Sequence, residues 1–537
     1  MPTTVAGHVA ARLAEAGVRH AFGIPGGEVL ALVDALDKAG IAFHLVKHET
    51  PGGFMADAVA QLTRTPAVLV ATLGPGVSNL VTAVAHAQLD RTPMLVLTAC
   101  IDPGAAATYT HQVFDHGAVL RPVTKASFTL GAAGAAALID RAMLLATADP
   151  PGPVHLDVPT RVASLPVEAP AATLPRRARV SLAPSAELDT LVGWIARAER
   201  PLVLAGLGVL HHGAHAELRT FVQRAGAAVI TTYKAKGVIP EDDPGVIGGA
   251  GLSPVADRAL FKALHAADLV LALGYDPVEM RDSWIQPWPA ETDSAEIGGV
   301  AKDHQVHRTK LEFVADLRLA LDRLAALIPS RAGSTWLDGT PAAVRTEIAE
   351  ALRPRGPWGP HAVVETCRRV FPRETLATVD TGAHRILLSQ VWSCHEPYGL
   401  LQSTGLATMG YGLPAAIGAK LVRPERPVVC FTGDGSLEMV IGDLATLRDL
   451  RRPLTLVVFA DRSLALIELK QRRLGLPNLG VDAPATDFVG IARAYGGHGV
   501  RVTSAPELER ACREALTRET FTLIEAVVDK AEYAQQM

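Results

Sequence analysis

Short apolar runs alternate with segments of helical spacing along the whole chain. Ala67 to Thr72, Met94 to Thr98 and Leu454 to Phe459 are almost entirely apolar, as expected for strands buried on both faces. Segments such as Val5 to Ala16 carry apolar residues at helical spacing between such runs. The pattern predicts an α/β protein whose mostly parallel sheets are covered by helices.

Two stretches rich in Pro, Ala, Gly and Ser interrupt this alternation. Residues 163–187 and 331–343 lack periodicity and are predicted to be linkers. They divide the 537 residues into three predicted domains, at 1–165, 185–330 and 350–537, each long enough for its own core.

Composition narrows the class of protein. A net charge of −4 argues against a nucleic-acid partner. The N-terminal residues lack a basic segment followed by an apolar core, so no signal peptide is predicted. No membrane span is predicted either, because Gly74-Pro75-Gly76 breaks the long uncharged run from Pro66 to Leu89. The five cysteines form no CxxC pair and are predicted to be small core residues of a cytoplasmic protein.

The segment from Cys430 to Ser463 carries the strongest chemical signal. A strand ends in Gly433-Asp434-Gly435, a helix is predicted from Leu437 to Leu450, and the next strand ends before Asp461. A right-handed crossover brings both acidic residues to one sheet edge. Two carboxylates and a glycine-flanked helix start suit Mg²⁺ and a diphosphate. A lone Gly-Asp-Gly is more often an ordinary turn whose Asp caps the helix. The second acidic residue at the end of the crossover makes the metal site an equal alternative.

The same segment resembles the signature of thiamine-diphosphate (ThDP) enzymes. In that family Gly-Asp-Gly is followed by 24 residues, here Ser436 to Phe459, and then by a pair that is here Ala460-Asp461. Asp in the second position resembles the catabolic, FAD-independent acetolactate synthases. The resemblance implies that Mg²⁺ is held by Asp434, Asp461 and Ser463, and the diphosphate by Gly433, Asp434, Gly435 and Ser436.

The first predicted domain resembles the pyrimidine-binding domain of the same family. Glu49 follows an apolar strand, where a charged residue is usually solvated at the sheet's rim. The resemblance implies instead that its carboxyl shares a proton with N1′ of the cofactor. It also implies substrate contacts for His111 and Gln112. The further cofactor contacts implied here are those of Pro25, Gly26, Gly74 and Asn79.

The third predicted domain supplies the remaining implied contacts. By resemblance His384 receives the diphosphate, the Ala407 carbonyl accepts from the cofactor's amino group, and Met409 supports its bent conformation. Two positions depart from the family pattern, namely Thr50 and Leu464. Glu468 lies one position past the catalytic glutamate of pyruvate decarboxylases, so that role is not transferred to it.

The resemblance implies a ThDP- and Mg²⁺-dependent enzyme. It would decarboxylate a 2-oxo acid, most plausibly pyruvate, and join the product to a second carbonyl. Release of an aldehyde without ligation is the alternative, and a non-catalytic member that only assembles with partners is a third reading. Tyr275 to Glu279 (YDPVE) resembles relatives without FAD, so an empty central domain is expected. Active sites between the subunits of a homodimer or homotetramer are also implied.

Overall fold

The structure is a computed structural model that describes residues 3–102, 104–105, 108–167, 178–331, 333–354 and 356–535. The first domain is built around a parallel sheet. Its six strands lie in the order β2-β1-β3-β4-β6-β5. The strands are β1 His20–Ile24, β2 Ala42–Leu45, β3 Ala67–Ala71, β4 Met94–Cys100, β5 Ala126–Thr129 and β6 Pro153–Pro159. The helices are α1 Val5–Glu15, α2 Leu30–Lys38, α3 Glu49–Thr63, α4 Pro75–Asn79, α5 Val81–Leu89, α6 His116–Leu120, α7 Ala135–Thr147 and α8 Thr160–Ala163.

The central domain has a second six-stranded parallel sheet, in the order β12-β11-β10-β7-β8-β9. Its strands are β7 Pro201–Ala205, β8 Ala228–Thr232, β9 Val246–Ala250, β10 Leu269–Leu273, β11 Asp293–Gly298 and β12 Leu311–Val314. Its helices are α9 Ala186–Arg197, α10 Leu207–His211, α11 His215–Ala225, α12 Pro254–Ala266, α13 Leu317–Leu327 and α14 Thr340–Ala351. Helix α14 begins inside the predicted second linker and packs on α12 through Val344 and Ile348.

The third domain repeats the strand order of the first, as β14-β13-β15-β16-β18-β17. Its strands are β13 Leu376–Val379, β14 Leu400–Gln402, β15 Val428–Gly433, β16 Thr455–Ala460, β17 His498–Val502 and β18 Thr522–Val527. Its helices are α15 Pro360–Val370, α16 Ala383–Val391, α17 Gly412–Val422, α18 Asp434–Val440, α19 Leu444–Leu450, α20 Ala465–Arg473, α21 Phe488–Ala494 and α22 Ala505–Ala515.

Every strand pairing in these three sheets is parallel, which confirms the predicted fold class. Parallel sheets need helices on both faces, and this explains why strands such as β3 and β16 are buried along their whole length. Within the described ranges no helix combines the length and the apolarity needed to cross a bilayer. Part of the first predicted linker, residues 168–177, lies outside the described residues.

The first and third domains share one apolar core. Helices α3 and α17 cross closely, because Gly418 on α17 has no side chain to separate the two backbones. A Cβ atom placed on Gly418 would lie only 2.4 Å from the carbonyl oxygen of Met55 on α3. The close crossing fixes the beginning of α3 relative to the third domain.

A buried ionic cluster joins all three domains beside this crossing. His86 of the first domain lies 3.0 Å from Asp90 and 3.3 Å from Asp57. Asp90 also pairs with Lys234 of the central domain and accepts from the backbone N–H of Thr404 in the third domain. Burial opposes ionisation of His86, but Asp90 and Asp57 raise its pKa to about 9, so the imidazole is charged at neutral pH.

Asp90→Ala is expected to lower the free energy of unfolding by about 3–5 kcal/mol, because it leaves Lys234 buried and unpaired. Asp449→Ala is the matched control. It removes a carboxylate from an exposed ion pair with Lys47 and is expected to cost below about 1 kcal/mol. Thermal melting of both variants checks this prediction, and equal losses for the two would contradict it.

Candidate active site

The third sheet has a crevice between β13 and β15, where the strand order reverses. Ligands bind at such switch points in open α/β sheets. His384 lies there, at the beginning of α16, with its ring 5.2 Å from that of Phe459. Burial, followed by the charge of Arg385, lowers the pKa of His384 to about 3, so the imidazole is neutral. Its buried Nε2 has no hydrogen-bond partner among the described residues.

Glycines give the crevice its backbone shape. A Cβ atom on Gly382 would lie 2.5 Å from Cε1 of His384, and one on Gly433 would lie 3.1 Å from the same atom. A side chain at Gly382 would therefore collide with the imidazole, and one at Gly433 would press tightly against it. The backbone can approach an anion here, and α16 and α18 both begin at this edge.

Asp434 and Asp461 meet at the same edge, as their spacing predicted. Asp434 accepts from the backbone N–H of Arg462 at 2.7 Å, which ties the end of β15 to the end of β16. Burial raises the pKa of both carboxyls, and the charge of Asp434 helps to raise that of Asp461 to about 7. Ser463 donates its backbone N–H to Asp461 at 3.0 Å. A buried and a half-buried carboxylate that repel each other are suited to a divalent cation.

The loop that carries Ala407 and Met409 lies beside this pair. Ala407 has a φ of 53°, in the left-handed region that non-glycine residues seldom adopt. A Cβ atom on Gly435 would lie 3.8 Å from the terminal methyl of Met409, so the thioether reaches the helix that begins at Asp434. The structure thus brings Met409 to the candidate diphosphate loop.

Asp380 fixes the shape of this loop, although sequence reasoning did not select it. It accepts from the backbone N–H groups of Gly410 at 2.9 Å and Gly412 at 3.0 Å. It is fully buried, and burial raises its pKa to about 6. The sequence could have pointed to Asp380, because it is an acidic residue directly after a buried strand.

Glu49 is the first residue of α3, and only 4% of its surface is exposed. A solvated position at the rim of the sheet, the ordinary expectation for such a residue, is therefore wrong. The Asn79 side chain donates to its Oε2 at 3.0 Å, and a Cβ atom on Gly76 would lie 3.5 Å from its Oε1. The predicted residues Glu49 and Asn79 are thus in direct contact.

The other predicted residues of the first domain surround its switch point between β1 and β3. Gly26, which follows the exposed Pro25, lies against Thr72: a Cβ atom there would be 2.3 Å from the hydroxyl oxygen. Gly74 has a φ of 68° and packs against Gln112, whose own φ is 58°. His111 and Gln112 lie in an exposed loop after β4.

His116 supports this region and was missed by the sequence reasoning. It accepts from the backbone N–H of Gly74 at 3.4 Å and lies 3.1 Å from the buried Asp157. Little in the sequence pointed to His116, because it lies four residues after Gln112 and belongs to no recognisable motif. His116 thus fixes the predicted loop from inside the domain.

Three domain models of one enzyme family match most of the chain. Residues 3–119 match the N-terminal TPP binding domain of thiamine pyrophosphate enzymes. Residues 188–324 match the central domain, and residues 380–526 match the C-terminal TPP binding domain of the same enzymes.

Sequence similarity to known proteins extends over nearly the whole chain. An acetolactate synthase large subunit of Parasynechococcus marenigrum is 31% identical, over 100% of this chain and 90% of that protein. The chain belongs to the thiamine pyrophosphate enzyme family. A second relative, named "Probable 2-ketoarginine decarboxylase" in Pseudomonas aeruginosa, is also 31% identical, over 97% of this chain and 94% of that protein. Family membership confirms the predicted resemblance.

The residues of this thiamine pyrophosphate enzyme fit the cofactor that defines its family. A diphosphate would satisfy the buried Nε2 of His384, which otherwise has no partner among the described residues. A dication would neutralise Asp434 and Asp461. Gly382 and Gly433 leave the His384 ring room at the same edge, beside the beginnings of both helices.

Proposed function

We propose that the protein uses ThDP and Mg²⁺ to decarboxylate a 2-oxo acid, pyruvate in the first instance, and to join the product to a second carbonyl. The observation that carries the proposal is the pair formed by the buried Asp434 and the half-buried Asp461 beside His384. An acetolactate synthase name among the relatives supports ligation.

The cofactor supplies an electron sink for the carbon that loses CO₂. The side chains have separate tasks. Asp434, Asp461 and the Ser463 carbonyl hold Mg²⁺, and the N–H groups of Gly435 and Ser436 with His384 hold the diphosphate.

The remaining residues act on the reacting half of the cofactor and on the substrate. Glu49, which is only 4% exposed, would share a proton with N1′ of the bound cofactor. The Ala407 carbonyl would accept from the cofactor's amino group, and Met409 would pack against its ring. His111 and Gln112 orient the substrate's carboxylate.

We place the complete site between two copies of the chain. Within the described ranges no hydrogen bond or ion pair joins Glu49 or Asn79 to the loops of Asp434 and Asp461. The nearby Lys47 contacts Asp449 at the far end of α19 instead. Large apolar side chains lie exposed beside both half-sites, including Leu30 (58% exposed) and Met439 (63% exposed). A second copy would cover such surfaces.

The central domain is proposed to hold no FAD. Its first strand ends in a Gly-Leu-Gly turn of the type that presents N–H groups to a dinucleotide. Here the buried carboxylate of Glu279 accepts from the backbone N–H of Leu207 at 3.3 Å. Glu279 lies in the segment that resembles FAD-free relatives. The protein's own side chain therefore occupies a donor that a flavin nucleotide would use.

Glu468 is the residue that would favour simple decarboxylation if it faced the substrate. Its carboxylate instead accepts from the Ser463 hydroxyl at 2.7 Å and pairs with Lys530 at 2.6 Å. The exposed Ile467 precedes it and offers no proton. These contacts give Glu468 a structural role and favour ligation. Aldehyde release is the second candidate, because one relative is named as a probable 2-ketoarginine decarboxylase.

Product analysis tests the proposed function. The protein, reconstituted with ThDP and Mg²⁺, is incubated with pyruvate, longer 2-oxo acids and a guanidino 2-oxo acid, and CO₂ and organic products are followed by mass spectrometry. We expect two pyruvate molecules to give one CO₂ and one acetolactate-type product. Free aldehyde in amounts equal to CO₂, without any coupled product, would contradict ligation.

A further inference from the structure

Three potential metal ligands converge in the central domain, far along the chain from the predicted Mg²⁺ residues. Glu296 lies on β11, and His304 and His307 lie in the loop that leads to β12. One ligand atom from each residue can be chosen so that all lie within 4.8 Å of one another. Ligands of one metal ion need that proximity.

Two of the three residues are buried, and the cluster is tightly packed. Nε2 of His307 lies 2.9 Å from Oε2 of Glu296, and the His304 and His307 rings are 5.0 Å apart. The backbone N–H of Val306 donates to Nδ1 of His304 at 3.3 Å. Metal binding through Nε2 would place the ring proton on Nδ1 and break this hydrogen bond, so the loop at Val306 would have to adjust. Nδ1 of His307 is buried and has no hydrogen-bond partner among the described residues, which leaves that nitrogen for a ligand while Nε2 donates to Glu296.

The ammonium group of a lysine pairs with the carboxylate of this cluster. Nζ of Lys302 lies 3.2 Å from Oε2 of Glu296 and 3.4 Å from the Thr309 hydroxyl. Its flexible side chain can leave the cluster at little steric cost. A dication bound to Glu296 would therefore compete with Lys302 for one carboxylate.

The cluster also has room for a ligand from solution. Glu296, Lys302 and His304 line a cavity of about 290 Å³ at the carboxyl edge of the central sheet, next to Gly298. A metal ion held by three side chains would retain an open coordination position facing this cavity. Such a position accepts water or a small anion.

We propose that Glu296, His304 and His307 bind a transition-metal dication, with Zn²⁺ as the preferred ion. Two imidazoles and one carboxylate suit Zn²⁺, whereas Mg²⁺ selects oxygen ligands. The site is thus chemically distinct from Asp434 and Asp461. Its occupant ties the loop of residues 299–310 to β11.

Metal retention tests the proposal. The protein is first saturated with ThDP and excess Mg²⁺, then dialysed against buffered micromolar Zn²⁺, and its metal content is measured. We expect one Zn²⁺ per chain and a higher melting temperature. His304→Ala and Glu296→Gln should each weaken Zn²⁺ binding at least roughly tenfold, while His265→Ala, an exposed histidine on α12, should not change it.

Lys302→Met provides the decisive variant, because it removes the competing ammonium and should tighten Zn²⁺ binding. Co²⁺ in place of Zn²⁺ should give a d–d absorption spectrum that disappears in His304→Ala. No retained Zn²⁺, or retention that His304→Ala and Glu296→Gln leave unchanged, would overturn the proposal. Catalytic turnover is not the readout, so failure of the proposed activity would leave this test intact.

Discussion

Glu49→Gln is expected to reduce turnover by roughly two to four orders of magnitude, the range found when general acid–base groups are removed. Glutamine keeps the size of the side chain and can still accept from Asn79, which donates to Glu49 at 3.0 Å. It cannot share a proton with N1′ of the cofactor. The loss should therefore appear in proton removal from C2 of the thiazolium.

Two measurements separate this effect from loss of binding or folding. Hydrogen–deuterium exchange at C2 should slow in the variant, while the dissociation constant for ThDP stays within a few-fold of the parent. Asp34→Asn is the matched control, since it makes the same type of change in an exposed ion pair of the first domain. Exchange at the parental rate in Glu49→Gln would refute the assigned role.

Local pattern predicted the fold well because each buried parallel strand is a short apolar run. Element boundaries were less accurate where glycines and polar caps decide them. The helix predicted from Leu437 to Leu450 begins instead at Asp434 and is divided by a short 3-10 segment, Ile441–Asp443. Gly442 lies within that segment. The consequence is functional, because the helix start then lies within the Gly-Asp-Gly loop itself.

Which polar side chains are buried could not be predicted from the pattern of residues. Local pattern alone makes Glu49 a solvated rim residue, because nothing in its neighbourhood indicates the contact with Asn79, 30 positions later. Only the family resemblance implied a role for it in the site. Asp380 and His116 were missed for the same reason, since their partners are backbone N–H groups of loops remote in sequence. By contrast, Asp434 and Asp461 were predictable, because a single strand–helix–strand crossover determines their proximity.

The raised pKa of Asp461 predicts that both Mg²⁺ affinity and the stability of the metal-free protein depend on pH. Burial and the charge of Asp434 raise this pKa to about 7 in the folded chain, above the ordinary value of 3.8. Between about pH 4 and 7 the folded, metal-free protein therefore holds a proton that the unfolded chain has lost. Its stability should fall as pH rises through that window. Mg²⁺ binds the ionised pair, so its affinity should rise over the same range and binding should release protons.

Asp461→Asn is expected to weaken Mg²⁺ and ThDP binding by at least roughly tenfold to a hundredfold, because the dication loses a charged ligand and the diphosphate loses the dication. The variant should also lose most of the pH dependence of Mg²⁺ affinity, since its site no longer carries the group that titrates near 7. Calorimetric titrations between pH 5.5 and 8 in two buffers of different ionisation enthalpy measure affinity and proton release together. Glu519→Gln, which removes one exposed charge from the same domain, should behave as the parent. Unchanged Mg²⁺ affinity and proton release in Asp461→Asn would show that the paired carboxylates do not hold the metal.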